Sequence, residues 1–143
     1  MASWDNLDWK QCDNVFQENA EIPEKAGAYA IRCTGNGTPR PVSRAFATDT
    51  SGILCFGRTA QRKAGLRGRL TDFWRAAAGK KAPHAEGKSY YDLDYCNRGF
   101  PRNGLEIAWV ALDRQSAKRQ ELEWFDEYLA AFGELPPLNR KRG

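Results

Sequence analysis

Two short runs, Gly27-Ala28-Tyr29-Ala30-Ile31-Arg32 and Gly52-Ile53-Leu54-Cys55-Phe56-Gly57-Arg58, precede a stretch in which Leu66, Leu70, Phe73, Trp74 and Ala77 recur at i, i+4, i+7, i+8 and i+11. That order constrains the chain most: two strands, then a helix with one apolar stripe, bent or interrupted near Gly65. Asp49-Thr50-Ser51-Gly52 has the composition of a hairpin turn leading into the second strand, and Ser43–Thr48 reads as a further strand. Residues 34–41 form a loop by their turn chemistry. Leu105–Leu112 is a nearly all-apolar strand and so is expected at the centre of a sheet. From Gln115 or Ser116 the pattern turns helical to Phe132, with Gly133 as the stop and Pro136-Pro137 beyond it. Residues 79–103 read as loops with a turn of helix near Tyr90-Tyr91, and residues 3–21 as a short helix packing Trp4, Leu7, Trp9 and Phe16.

A length of 143 residues with 41% apolar and 12% aromatic content fits one folded domain, placed at 22–143 behind an N-terminal extension at 1–21. No apolar run reaches the ~18–20 residues of a membrane span. The first residues lack the pattern of a signal peptide, so the expected location is cytoplasmic, with no membrane partner. The four cysteines, at 12, 33, 55 and 96, form no Cys-x-x-Cys pair, and with His84 as the only histidine they do not make an ordinary zinc site. They read as buried small hydrophobes. The net charge of +4 is modest, but its distribution is uneven: Arg58, Arg62, Lys63, Arg67, Arg69, Arg75, Lys80 and Lys81 crowd one stretch. Such a surface favours phosphates, or is simply a solvated basic helix face.

Two helical side chains stand out by angle. On the helix from Leu66, Arg69 lies about 40° outside Phe73, at the margin of the packed stripe, Arg67 at the other margin, and Arg75 in solvent. On the last helix Ala117, Trp124, Phe125, Tyr128, Ala131 and Phe132 form the apolar face, and Glu121 projects into its middle. A carboxylate facing the core must be paired, hydrogen-bonded or metal-bound. One reading is a buried salt bridge to Arg69 or another basic group; the other is a functional acid.

With these residues in view, the chain resembles the GIY-YIG nuclease superfamily. Gly27-Ala28-Tyr29 matches its first motif and Cys55-Phe56-Gly57 its second, while Arg69 in Leu66-Arg67-Gly68-Arg69-Leu70 matches its helix arginine. Glu121, followed by Trp124, Phe125 and Tyr128, matches its helical glutamate, and Pro136-Pro137-Leu138-Asn139 its terminal motif. The resemblance covers roughly residues 22–140. It implies an α+β fold (an α/β sandwich) in which a small three-stranded antiparallel sheet is flanked by helices. It also implies hydrolytic cleavage of DNA, with RNA left open as a partner, using one Mg²⁺ or Mn²⁺ held by Glu121. Arg69 would stabilise phosphate charge and Tyr29 would position or activate water. Arg58, Arg62, Arg67, Lys80 and Lys81 are expected on neighbouring phosphates, and Gly57 and Asn139 in support. The chain departs from the pattern twice: the second-motif tyrosine is Cys55, and Phe73 stands where the family often has a histidine or tyrosine. His84 is then a candidate for the missing base or for a phosphate contact. The rival expectations are a nucleic-acid-binding module that has lost hydrolysis, and an interaction domain whose Glu121 and Arg69 are a buried ion pair.

Overall fold

The computed structural model describes residues 1–18, 21–60 and 63–143. After a 3₁₀ turn at Ser3–Asn6 come β1 (Lys10–Gln11), α1 (Cys12–Glu18), β2 (Gly27–Gly35), β3 (Thr38–Pro39), β4 (Val42–Ser43), β5 (Thr48–Asp49) and β6 (Ile53–Thr59). The second half holds α2 (Gly65–Ala77), α3 (Ala85–Asp92), α4 (Asp94–Gly99), a 3₁₀ turn at Arg102–Gly104, β7 (Leu105–Ala111) and α5 (Arg114–Phe132).

The main sheet is antiparallel. β2 runs through its centre, paired with β6 on one side (Tyr29 opposite Gly57, Ile31 opposite Cys55) and with β7 on the other (Tyr29 opposite Trp109). Three long strands therefore form as expected, but the sheet has five: β1 extends it beyond β7, and β3 folds back on the end of β2. That fold-back is a two-residue turn in which Asn36 and Gly37 both take positive φ, 57° and 82°, the turn whose twist suits a hairpin. β2 is paired along its length on both sides, and β7 is interior as its apolar sequence led one to expect, lying between β2 and the two-residue β1. In place of one strand at Ser43–Thr48 there is a small separate hairpin, β4 against β5.

Strand alternation sends side chains to two layers. Tyr29, Ile31, Cys33, Cys55, Leu105 and Ile107 pack with Leu66, Leu70 and Phe73 of α2 and with Tyr90 and Cys96 of α3 and α4. On the opposite face Ala28, Ala30 and Phe56 meet Trp124, Phe125 and Tyr128 of α5. Trp4 inserts there too, with ring centroids 5.2 Å from Phe56 and 5.8 Å from Tyr128. The N-terminal residues are thus a 3₁₀ turn, a strand and a short helix built into the domain, where a single helix over 3–21 was expected.

Residues 79–103, expected as loops with a turn of helix near Tyr90-Tyr91, contain α3, which includes both tyrosines, and α4. Neither is long or strongly amphipathic; α3 is fixed by tertiary packing. A Cβ at Gly87 would lie 2.8 Å from the Phe73 carbonyl oxygen and 2.9 Å from the Ala76 Cβ, so α3 crosses α2 at a distance only glycine permits. Tyr90 is buried and its hydroxyl donates to the Phe100 carbonyl at 2.7 Å, while Tyr91 stays half exposed. α5 begins at Asp113, whose carboxylate accepts from the Ser116 amide, and ends at Gly133 in the left-handed region (φ 74°). Among the described residues no helix is long and apolar enough to cross a membrane.

Candidate functional site

The site lies where the β6 edge, the start of α3, the middle of α5 and the chain end meet. The sequence itself closes the edge of β6. Leu138 donates its amide to the Leu54 carbonyl at 3.0 Å. The Asn139 side chain accepts from the Phe56 amide at 2.9 Å and donates to the Phe56 carbonyl at 3.0 Å. One amide side chain thus imitates a strand partner and satisfies an edge that would otherwise be open. Beside it is a cleft of about 410 Å³ whose wall includes Glu86, Ser89, Glu121, Asn139 and Arg140 over a floor of Phe56, Phe125 and Leu138.

Glu121 occupies the apolar face of α5 as its angle requires and is 6% exposed. Its partner is Arg58, Nε to Oε1 at 3.1 Å. Arg58 follows Phe56 by two residues on β6, so it leaves the strand on the α5 side, whereas Arg69 works from the α2 side. The buried salt bridge weighed from the sequence therefore forms, but with Arg58 in place of Arg69. Burial pushes the Glu121 carboxyl above its ordinary range, the Arg58 guanidinium opposes this, and the Glu86 carboxylate adds to the rise.

Tyr29 is fully buried, and its hydroxyl lies 2.8 Å from His84 Nε2. Burial drives its pKa far up against the Arg69 charge. The opposing residue, Gly57, has a structural reason to be glycine: an added Cβ would overlap the Tyr29 ring at Cζ and Oη. His84 is not a loop histidine; it is the 2%-exposed N-cap of α3, its Nδ1 accepting from the Gly87 amide at 3.1 Å. Its ring meets Phe73 edge-on with centroids 5.3 Å apart. Burial and the neighbouring Arg69 charge push its pKa down to about 3. Cys55 is fully buried, and burial holds its thiol well above the usual range; the other three cysteines are also free and buried.

Arg69 is the electrostatic centre of this region. Burial sets the direction in which Tyr29, Cys55, His84, Glu86 and Glu121 shift, and the Arg69 charge acts on all five. Its own Nη1 donates to the Pro83 carbonyl at 2.8 Å. Glu86, in the first turn of α3, is half-buried, and burial raises its pKa while Arg69 lowers it. Sequence reasoning missed Glu86. No local signal marked it, because histidine is not among the residues that usually cap a helix and the burial of Gly87 is set by α2.

Of the basic residues at the cleft, Arg140 and Lys141 come from the chain end, whereas Arg67, Lys80 and Lys81, expected on phosphates, do not line it. Arg67 donates to the Ile22 carbonyl at 2.8 Å and pairs with Glu24 at 2.7 Å, tying α2 to the connector before β2. Lys80 and Lys81 are exposed beyond the end of α2, and Lys81 shares a hollow with Arg67 and Arg75. Arg62 lies outside the described residues. For a cation, the donors at the cleft are two carboxylates. Among the described residues no group of three or more His, Cys, Asp and Glu side chains that could hold a metal comes together. A set of one or two carboxylates suits Mg²⁺, which keeps most of its ligands as water and substrate oxygens. Compared with known proteins, the chain matches no family model, no curated protein and no solved structure.

Proposed function

We propose that the chain is a metal-dependent endonuclease that hydrolyses phosphodiester bonds in DNA, of the GIY-YIG type its motif order resembles. The observation that carries the reading is a buried carboxylate, Glu121, and a second one, Glu86, in the wall of one cleft, with the Arg58 guanidinium paired to Glu121 and the Arg69 charge acting on both carboxylates. Arg69 would take charge that builds on phosphate oxygens, its charge already acting to lower the pKa of both carboxylates against burial. Glu121, with Glu86 facing it, would hold Mg²⁺ or Mn²⁺, and the bound cation would neutralise phosphate and leaving-group charge. Arg58 holds the Glu121 carboxylate in position and opposes the rise in its pKa that burial imposes. Asn139 fixes the chain end that forms the far wall.

Incubation of the protein with supercoiled plasmid and Mg²⁺ or Mn²⁺ is expected to yield nicked circles, and Glu121→Ala is expected to abolish nicking while leaving DNA retention in a gel largely intact. Nicking that survives Glu121→Ala refutes the assignment. A second reading, a nucleic-acid-binding module without hydrolysis, is favoured by one specific observation: Tyr29 and Cys55 are both fully buried with pKa values driven up, so neither serves as a base near neutral pH. DNA retention without nicking under any divalent cation would select it.

A further inference from the structure

His84 touches two elements through two ring nitrogens, and the chemistry of imidazole decides which does what. The Gly87 amide can only donate, so Nδ1, 3.1 Å away, must carry a lone pair. A neutral ring then bears its proton on Nε2 and donates it to the Tyr29 oxygen at 2.8 Å. A charged imidazolium would set an Nδ1 proton against the Gly87 N–H. Proton relay through this ring would need Nδ1 to give up its cap. The adjoining groups close the ring in further: Phe73 from α2 on one edge, Arg69 from α2, Tyr29 from β2, and Glu86 on its own helix.

The segment from Pro83 to Gly87 makes three separate ties. Pro83 accepts from Arg69, His84 donates to Tyr29, and Gly87 seats against Phe73 and Ala76 at a distance no larger residue allows. Between the last two stands Glu86, the carboxylate that faces Glu121 at the cleft. We propose that His84 is a positioning residue: its Nδ1 caps the Gly87 amide and its Nε2–H holds Tyr29, so that it ties β2 to the first turn of α3 and thereby sets Glu86 at the cleft. A role for Glu86 at the cleft rests on the endonuclease reading; the tie and the tautomer do not.

Because the chain has a single histidine, a long-range proton–nitrogen spectrum of the uniformly labelled full chain contains one imidazole. At pH 7 it is expected to show the Nε2–H tautomer, and the Gly87 amide is expected to exchange slowly. An Nδ1–H tautomer, or a Gly87 amide that exchanges as fast as an unprotected one, overturns the proposal. Three substitutions supply the functional readout. His84→Ala removes both ties. His84→Asn retains an acceptor at the Nδ1 position without reaching Tyr29, and His84→Gln places an amide donor near the Nε2 position without the cap. If His84 positions, either amide should recover at least about tenfold of the nicking kcat lost in His84→Ala, with DNA affinity little changed. A proton-carrying histidine would lose about 10²–10⁴ in all three variants alike, and that pattern also overturns the proposal. Should the wild type nick no DNA, the endonuclease reading falls, while the imidazole spectrum and the Gly87 exchange rate still uphold or overturn the tie.

Discussion

The buried histidine makes a thermodynamic prediction that can be worked through. His84 is 2% exposed, both ring nitrogens are engaged, and its pKa falls from 6.5 to about 3 on folding. A depressed folded-state pKa means that the unfolded chain binds a proton the folded chain refuses. The stability that this neutral ring contributes is therefore fully present above pH 6.5 and is lost as pH falls toward the folded value. Between pH 7.5 and pH 5.0 the linkage relation makes the loss about 2 kcal/mol. Glu86 and Glu121 run the other way, because their raised pKa values penalise the ionised form and favour folding at lower pH, so the raw pH profile of the protein mixes opposing slopes. His84→Asn isolates the histidine: it preserves an acceptor for the Gly87 amide and removes the titrating ring. Urea denaturation of both proteins at a series of pH values should show wild type losing about 2 kcal/mol relative to the variant on going from pH 7.5 to 5.0. A stability gap between the two proteins that stays constant to within about 0.5 kcal/mol over that range would refute the reasoning, since the ring would then be as easily protonated folded as unfolded.

Two other substitutions probe the frame around the site. Gly57→Ala forces a methyl group into the Tyr29 ring on the paired strand and should cost about 1–3 kcal/mol, read as a lowered thermal midpoint together with a changed near-ultraviolet tyrosine signal. Arg58→Ala leaves the Glu121 carboxylate buried without its guanidinium; because Arg58 is itself 30% exposed, the cost at pH 7 should be about 1–2 kcal/mol, below that of a wholly buried pair. The deficit should shrink as pH falls and Glu121 protonates, and a deficit independent of pH would show that Arg58 acts through packing alone.

Local pattern was enough for much of this molecule. The apolar stripe at Leu66, Leu70 and Phe73 and the helix from Arg114 to Gly133 follow from a 3.6-residue period and a glycine able to take positive φ, both properties of the chain within one or two turns. The placement of Glu121 on the buried face of α5 follows from the same arithmetic, as does that of Arg69 at the margin of α2. What could not be read there depended on contacts between residues far apart in sequence. α3 exists because Gly87 lets it lie against Phe73 and because His84 caps it, and neither fact leaves a periodic trace in eight mixed residues. The partner of Glu121 was decided by strand parity across β6, which sends Arg58 toward α5 and leaves Arg69 on the other side of the sheet. The sequence by itself thus determined the buried faces of α2 and α5, with Glu121 on the second of them. Only the tertiary structure decided which side chains would face one another, because pairing, capping and close helix crossing are set by the geometry of distant segments and not by the period of any one.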